Sequence, residues 1–146
     1  MIEIIVIIVI ILLFGIKIYD IITKYRESFK QIFKFNAKVV SNDKTRNKGL
    51  MNRKKKLKAK EGMLFDFKEP QLIDLWMKNT YIPLDAIYFN ENGKIIDLNE
   101  NMKPKSTKAV KSKQLCRYVL EVNANTIKNN NIKMGDYIKI TKINNF

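Results

Sequence analysis

The feature that most constrains this chain is an apolar segment at its N-terminus. Ile4 to Ile16 is a run of thirteen consecutive apolar or glycine residues, most of them Ile, Val and Leu. A helix of that length measures about 20 Å, which is short of the roughly 30 Å hydrocarbon core of a bilayer. Extending it to Ile2–Ile22 admits charged groups near the ends, where they can reach the interface. The sequence therefore predicts an N-terminal transmembrane helix, residues 1–22, ahead of a single globular domain, residues 36–146.

The residues around this segment predict how it is processed and oriented. No small-residue cleavage site follows it, and Glu3 rather than a basic residue precedes it, which favours a retained anchor over a cleaved signal peptide. Lys17, Lys24 and Arg26 follow the run and no basic residue precedes it. The positive-inside rule then places the C-terminal domain on the cytoplasmic side. We therefore predict a single-pass membrane protein that contacts the lipid bilayer through residues 2–22.

Residues 23–35 are predicted to continue the anchor as a basic amphipathic juxtamembrane helix. Ile18, Ile22, Tyr25 and Phe29 recur at spacings of three and four, and lysine and arginine residues fall largely between them. Two roles stay open for this helix. It either lies on anionic headgroups or packs its apolar face on the domain as a stalk.

The residue composition excludes several kinds of chemistry. The chain has no histidine, which removes imidazole metal ligands and Ser-His or Cys-His nucleophile pairs. A single cysteine, Cys116, can form neither an intrachain disulfide nor a cysteine-based zinc site. We therefore expect no metal and no cofactor. The net charge of +14 comes from 24 Lys and only 4 Arg. Because arginine is the usual residue for reading phosphates and base edges, this bias argues against nucleic acid as a partner.

Short β-rich runs separated by turn residues predict a β-rich α+β fold. Asn92–Gly93 between two such runs is a hairpin signal, because both residues tolerate positive φ. Ser41–Asp43 can cap a short helix over Lys44–Arg53, and Ala124–Asn130 can form a second. The polar segment Asn99–Lys113 is interpreted as a mobile loop. The close turns favour a curled, mostly antiparallel sheet or small open barrel with two short helices. Strands are predicted at Phe35–Val40, Gly62–Phe67 (with Gly62 as a turn glycine), Leu72–Met77, Ala86–Phe89, Lys94–Leu98, Tyr118–Val122 and Tyr137–Ile143.

Polar residues concentrate between two apolar runs in the stretch Trp76–Asp85, which holds the only tryptophan of the chain. Acids flanked by apolar strands are costly to bury unless they are paired. We therefore expect Asp85 or Glu121 to meet a basic side chain or backbone N–H groups. A sealed network would be structural and would fix the turn after Trp76, whereas an open one would be a binding site. The candidate cluster consists of Arg53, Lys78, Asn79, Thr80, Asp85 and Glu121.

Four blocks of the sequence, taken in order, resemble the domain-of-unknown-function family 192. They are Lys48-Gly49-Leu50-Met51-x-Arg53, Gly62-Met63-Leu64-Phe65-x-Phe67, Trp76-Met77-Lys78-Asn79-Thr80-x-Ile82-Pro83-Leu84-Asp85 and Tyr118-Val119-Leu120-Glu121-Val122. The resemblance covers roughly residues 37–143 and implies a compact β-rich α+β domain, often carried behind a signal peptide or membrane anchor. It assigns no reaction. It also leaves an exported or extracytoplasmic location as the alternative to a cytoplasm-facing domain.

Three functions remain open at this point. The preferred one is a membrane-anchored, non-catalytic binding or scaffolding module, whose small-molecule, peptide or protein ligand docks near Lys78, Asn79 and Asp85. The second is an enzyme that uses Asp85 and Glu121 as a carboxylate pair. The third is binding to an anionic membrane or nucleic-acid surface through the lysine-rich segments.

Overall fold

The computed structural model describes the backbone of residues 2–28 and 30–146, and the side chains of residues 11–24 and 30–146. The chain divides into two compact units, Met1–Gln31 and Ile32–Phe146. In the first unit, helix α1 runs from Ile2 to Ser28. The helix predicted over residues 23–35 is therefore wrong at its C-terminal end, where strand β1 begins at Ile32. The reason is tertiary, because Ile32 pairs with Tyr137, more than a hundred residues away.

Among the residues whose placement is described, no helix is both long enough and apolar enough to cross a membrane. The side chains of residues 1–10 lie outside the described part of the chain. That range contains the first nine residues of the predicted transmembrane segment Ile2–Ile22.

The second unit is built on a six-stranded mixed sheet. Its elements are β1 (Ile32–Val40), α2 (Asp43–Lys48), β2 (Glu61–Gln71), β3 (Asp74–Leu75), β4 (Leu84–Phe89), β5 (Ile95–Met102), β6 (Val110–Lys111), β7 (Cys116–Asn123), α3 (Thr126–Asn130) and β8 (Tyr137–Lys142). The strand order is β5-β4-β7-β2-β1-β8, and β3 pairs with β6 separately. The pairings from β5 to β2 are antiparallel, whereas β1 is parallel to both of its neighbours. The predicted β-rich α+β class is confirmed.

The sheet curls into a half-barrel whose two edge strands meet at one end. Lys94, just before β5, forms a bridge with Tyr137, the first residue of β8. The Ile138 amide donates to the Gly93 carbonyl at 2.8 Å. Gly93 has a φ of 78°, and a Cβ added there would stand 2.6 Å from the Ile138 oxygen. The contact between the edges therefore requires glycine at this position, both for its backbone angle and for its lack of a side chain.

Side chains alternate between the two faces of the sheet, and each face builds its own core. We call the cluster to which all six strands contribute the inner core; α3 adds Ile127 to it. The outer core takes alternate residues of β2, β4 and β7, such as Met63, Ala86 and Val119. It is covered by the segments that connect the strands of the six-stranded sheet, among them β3. Their buried residues are Leu50, Leu57, Ile73, Leu75, Met77 and Ile82.

The two short helices of this unit lie close to the predicted positions. The Asn42 side chain accepts from the Thr45 amide at 2.9 Å, which confirms the predicted N-cap region of α2. The helix ends at Lys48 rather than Arg53, because Gly49 has a φ of 44° and breaks the helical path. The predicted helix therefore starts close to the observed position but continues beyond the observed end at Lys48.

Two other local predictions differ from the structure. Gly62 lies inside β2 rather than in a turn, and an added Cβ would stand 2.8 Å from the backbone oxygen of Glu121. Residues 99–113 form a pinned connection instead of a free loop, since β5 reaches Met102 and β6 pairs with β3. Buried Ser112 holds this connection by accepting from the Ile73 amide at 2.9 Å and donating its own amide to the Ile73 carbonyl at 2.9 Å.

Candidate functional site

The stretch Trp76–Asp85 forms a tight turn that leads from β3 into β4. The Thr80 amide donates to the carbonyl three residues earlier at 3.0 Å. Asn79 has a φ of 54°, a left-handed conformation that asparagine tolerates. Its carbonyl accepts from the Asn52 amide at 2.8 Å, which ties the turn to the segment after α2. The side chains of Lys78 and Asn79 are exposed, whereas Thr80 is buried. The turn is thus held by backbone hydrogen bonds.

Asp85 is fully buried and serves as a structural acceptor. Its carboxylate accepts from the Asn101 amide at 2.9 Å and from the Ile127 amide at 3.0 Å. Ile127 lies in the first turn of α3, whose N-cap residue Asn125 makes no side-chain cap bond. Asp85 therefore supplies the missing cap from a distant strand, and its negative charge suits the positive end of the helix. Backbone N–H groups are among the partners that the sequence allowed for this acid.

Glu121 is buried in the outer core, with 5% of its surface exposed. Its neighbours across the strands are the apolar residues Met63 on β2 and Ala86 on β4. Within the described part of the chain, no hydrogen bond or ion pair reaches its carboxyl group. Burial raises the pKa of Glu121 from 4.5 to about 8, because desolvation disfavours the charged form. The side chain is therefore mostly protonated at neutral pH.

Asp85 and Glu121 lie on neighbouring strands but on opposite faces of the sheet. In the register of β4 with β7, Glu121 pairs with Ala86 and Asp85 pairs with Val122. Paired residues share a face and successive residues alternate. Glu121 consequently belongs to the outer core and Asp85 to the inner one. The prediction of these two acids as a carboxylate pair across one cleft is therefore wrong.

Arg53 is also separate from both acids. Its Nε donates to the Lys55 carbonyl at 2.8 Å, and its guanidinium lies 4.8 Å from the centre of the Phe146 ring. The six predicted residues thus occupy four places instead of forming one network. The places are the turn (Lys78, Asn79 and Thr80), the inner core (Asp85), the outer core (Glu121) and the surface near the C-terminus (Arg53).

A cleft of about 300 Å³ lies between α2 and the start of the Trp76 turn. Trp76 is 51% exposed and lines it with Phe65 and Phe67. The other lining residues are Asp43, Arg46, Asn47, Gln71, Asp74, Leu75 and Ala109. Concave sites with aromatic walls and a few fixed polar groups are typical of ligand binding. We refer to this site as the Trp76 cleft.

Arg46 forms a fixed polar wall of the Trp76 cleft. Its Nη1 donates to the carbonyls of Ser41 at 2.7 Å and Asp66 at 2.9 Å, and its Nη2 donates to the Asp43 carboxylate. The guanidinium also lies 4.8 Å from the centre of the Phe67 ring. These bonds use three of the five N–H donors of an arginine. Two donors are left without a partner among the described residues, and a ligand oxygen could accept from them.

Two other cavities of this unit lack this combination of groups. One of about 520 Å³ lies between the start of β1 and α3, and another of about 340 Å³ lies beside the stacked rings of Phe89 and Tyr118. Neither is lined by a tryptophan or an arginine. Across the described residues, no group of three or more His, Cys, Asp or Glu side chains is placed to hold a metal ion. The Trp76 cleft is therefore the candidate site.

Comparison with known proteins agrees with the sequence blocks. The model of domain-of-unknown-function family 192, described as an uncharacterized ACR, matches residues 25–140, which is most of the chain. The chain belongs to this family. The resemblance inferred from the four blocks is confirmed. No curated protein matches the chain.

Two crystal structures show the same fold in relatives of this family member. A protein from Sinorhizobium meliloti, described as a proposed transcription regulator, is 38% identical with a TM-score of 0.67, and the match covers 69% of this chain and 78% of that one. A protein of unknown function from Novosphingobium aromaticivorans is 30% identical with a TM-score of 0.67. That match covers 70% of this chain and 73% of the relative.

The four family blocks converge in the outer core. Leu50, Met63, Met77 and Val119 come from one block each and lie in the same buried cluster. Arg46 precedes the first block and was not predicted as a site residue. A signal was present, because Arg46 is one of only four arginines in a chain that otherwise uses lysine for its positive charge.

Proposed function

We propose that this family member is a non-catalytic binding module whose ligand occupies the Trp76 cleft. Trp76 and Phe67 offer aromatic faces, and Arg46 offers two unused N–H donors beside them. This chemistry suits a small molecule or a peptide side chain that combines a planar apolar group with an oxygen acceptor. The proposal rests on the exposure of Trp76. Half of this large apolar side chain is left in water, which forgoes hydrophobic stabilisation.

The acids near the cleft support binding rather than a reaction. Asp43 is bonded to Arg46, and Asp74 pairs with Lys111 at 3.7 Å. Each acid thus has a basic partner, and the chain has no histidine for general acid/base work. A regulatory role, as proposed for the Sinorhizobium relative, would also be non-catalytic.

Because Trp76 is the only tryptophan of the chain, its fluorescence reports directly on the cleft. The full chain is titrated with benzoate and nicotinamide, which carry a planar ring and an oxygen acceptor. We expect at least one probe to change the Trp76 emission and to raise the melting temperature. Trp76→Leu should abolish the stabilisation, whereas Tyr81→Leu, which removes an exposed ring outside the cleft, should retain it. Equal stabilisation of wild type and Trp76→Leu would place the ligand elsewhere.

We also propose that residues Ile2–Ile22 anchor this module in a membrane. Helix α1 has 27 residues, which gives a length of about 40 Å against a hydrocarbon core of roughly 30 Å. The side chains of α1 are described between Ile11 and Ile22, and the large apolar ones among them are exposed, as expected for a helix surrounded by lipid. The basic residues after the run favour a cytoplasm-facing domain, and an exported location is the alternative.

Membrane attachment and its orientation are tested separately. After expression in a bacterial host, membranes are washed with alkaline carbonate, which releases peripheral proteins. The full chain should remain in the pellet, and a variant lacking Ile2–Ile22 should appear in the supernatant. Release of the full chain would contradict the anchor. C-terminal fusions to a fluorescent protein and to alkaline phosphatase report the side, because the first fluoresces inside the cytoplasm and the second is active outside it.

A further inference from the structure

Two lysine-rich segments that are distant in sequence meet on Tyr81. The Nζ atoms of Lys54 and Lys105 lie 5.8 Å and 4.8 Å from the centre of its ring. Tyr81 is 40% exposed and belongs to the turn that also presents Lys78 to solvent. We call these four residues the Tyr81 surface. Further exposed lysines of the same two segments are Lys55, Lys56, Lys103 and Lys108.

The positive charge of this surface is not neutralised by acids. Within the described residues, none of its lysines forms an ion pair, whereas Lys58 and Lys111 farther along the two segments pair with Glu61 and Asp74. Both ammonium groups lie within 5.8 Å of the same ring centre, so their separation does not greatly exceed the Debye length of about 10 Å and their repulsion is only partly screened. Attraction to the ring offsets part of this cost. A bound anion would offset the rest.

The backbone beneath the lysines is held in place. The Lys105 amide donates to the Thr80 carbonyl at 2.9 Å. In the other segment, the Asn123 side chain donates to the Leu57 carbonyl at 2.7 Å and accepts from the Leu57 amide at 3.0 Å. The ammonium groups therefore project from fixed segments. Binding to them costs less conformational entropy than ordering a free loop would.

One segment of the chain links the Tyr81 surface to the Trp76 cleft. The segment that begins at Lys105, beside the Tyr81 turn, reaches Ala109, which lines the cleft with Trp76. Lys108 lies between them and is exposed. The segment from Lys105 to Ala109 thus carries exposed lysines from the Tyr81 surface towards an aromatic cleft, and lysines beside aromatic groups are typical of proteins that bind single strands through phosphates and stacked bases.

We propose that the Tyr81 surface binds single-stranded nucleic acid through its phosphates, without reading the base sequence. Lysine also binds phosphate, as a point charge, whereas arginine reads base edges as well as phosphates. The scarcity of arginine in this chain therefore opposes sequence recognition and not phosphate contact. A base in the Trp76 cleft would be one form of the ligand proposed above, but the lysine contacts do not depend on it.

A bilayer surface fits these residues less well than a nucleic-acid strand. Interfacial binding gains much of its strength from apolar side chains that enter the headgroup region. The Tyr81 ring carries two ammonium groups, and Trp76 lines a concave cleft. Insertion of the Tyr81 ring would carry both hydrated ammonium groups with it, which opposes its entry among the lipids.

The test measures binding of fluorescein-labelled 12-nucleotide single strands to the full chain in a zwitterionic detergent. Fluorescence anisotropy is followed between 50 and 200 mM salt, with an oligothymidine and a mixed sequence. We expect similar affinities for both strands and a steep loss of affinity with salt. The double substitution Lys54→Gln and Lys105→Gln should weaken binding and reduce the salt slope by about 1.4, since each phosphate contact of a single strand contributes about 0.7.

The matched control removes two exposed lysines from α3 and β8, with Lys128→Gln and Lys139→Gln. It lowers the net charge equally and should keep the wild-type salt slope. An equal loss of slope in the control would show that total charge, and not this surface, binds the strand, and would overturn the proposal. Binding to phosphatidylserine vesicles that requires Lys54 and Lys105, without binding to either strand, would overturn it in favour of a membrane. Trp76→Leu should leave the salt slope unchanged, and a fall as large as in the lysine variant would contradict the assignment of phosphate contacts to the lysines.

Discussion

Glutamine in place of Glu121 nearly preserves the size of the side chain and removes its titratable proton. The residue lies between Met63 and Ala86 in the outer core, and no cation compensates its charge within the described residues. Ionising the carboxyl in this position is therefore costly for the folded state only. The substitution Glu121→Gln should stabilise the domain, by an amount that grows with pH.

The magnitude follows from the two pKa values. Burial raises the pKa of Glu121 from 4.5 to about 8 in the folded chain. The protonated carboxyl therefore contributes its full stabilisation below pH 4.5. This contribution is lost as the pH rises from 4.5 through 8, because the unfolded chain releases the proton at a lower pH than the folded chain. Between pH 4.5 and pH 7 the loss amounts to about 3 kcal/mol, at about 1.36 kcal/mol per pH unit. We expect Glu121→Gln to gain about 3 kcal/mol at pH 7 and close to nothing at pH 4.5.

Urea unfolding of the full chain at pH 5, 6, 7 and 8 checks this expectation. Glu100→Gln serves as the control, because it removes the same charge from an exposed position of β5. Its stability relative to wild type should change little over this range. A constant difference between Glu121→Gln and wild type from pH 5 to pH 8 would refute the reasoning, because it would mean that the carboxyl titrates alike in both states.

Three other substitutions test structural roles. Asp85→Asn removes the charge that two backbone amides share and should lower the free energy of unfolding by about 1.5–3 kcal/mol in urea titrations; an unchanged midpoint would contradict its capping role. Gly62→Ala places a Cβ 2.7 Å from a β7 side chain and should cost about 1–3 kcal/mol in thermal melts, and a neutral result would disprove this close packing. Asn123→Ala releases Leu57, so trypsin should cleave at residues 54–60 several-fold faster; an unaltered cleavage rate would argue against the clamp.

Most features of the fold that could be predicted from the sequence depend on residues that are close together in the chain. The turn at Asn92–Gly93 and the helix start at Asn42 depend on backbone angles and hydrogen bonds within a few residues, so neighbouring residue types reveal them. The β-rich class follows from the same short-range alternation. The four family blocks identified the domain because each contributes to one buried cluster.

The site could not be predicted in the same way, because its parts meet across long sequence distances. Whether Asp85 and Glu121 share a face depends on the register between β4 and β7, which neither strand reveals alone. Lys54 and Lys105 are about fifty residues apart and meet only on Tyr81. The start of β1 was misread as helix for the same reason, since its pairing partner is β8.

The contact between the edge strands at Gly93 affects how copies of this chain behave at high local density. The exposed edge of an open sheet is a template on which a strand of another molecule can pair. Here the Ile138 amide and the Gly93 carbonyl satisfy each other, and the Lys94–Tyr137 bridge continues the contact. At this end of the sheet, a neighbouring copy finds backbone groups that are already bonded. A substitution at Gly93 would therefore do more than destabilise one domain, because it would expose two edges at once and promote aggregation through strand pairing.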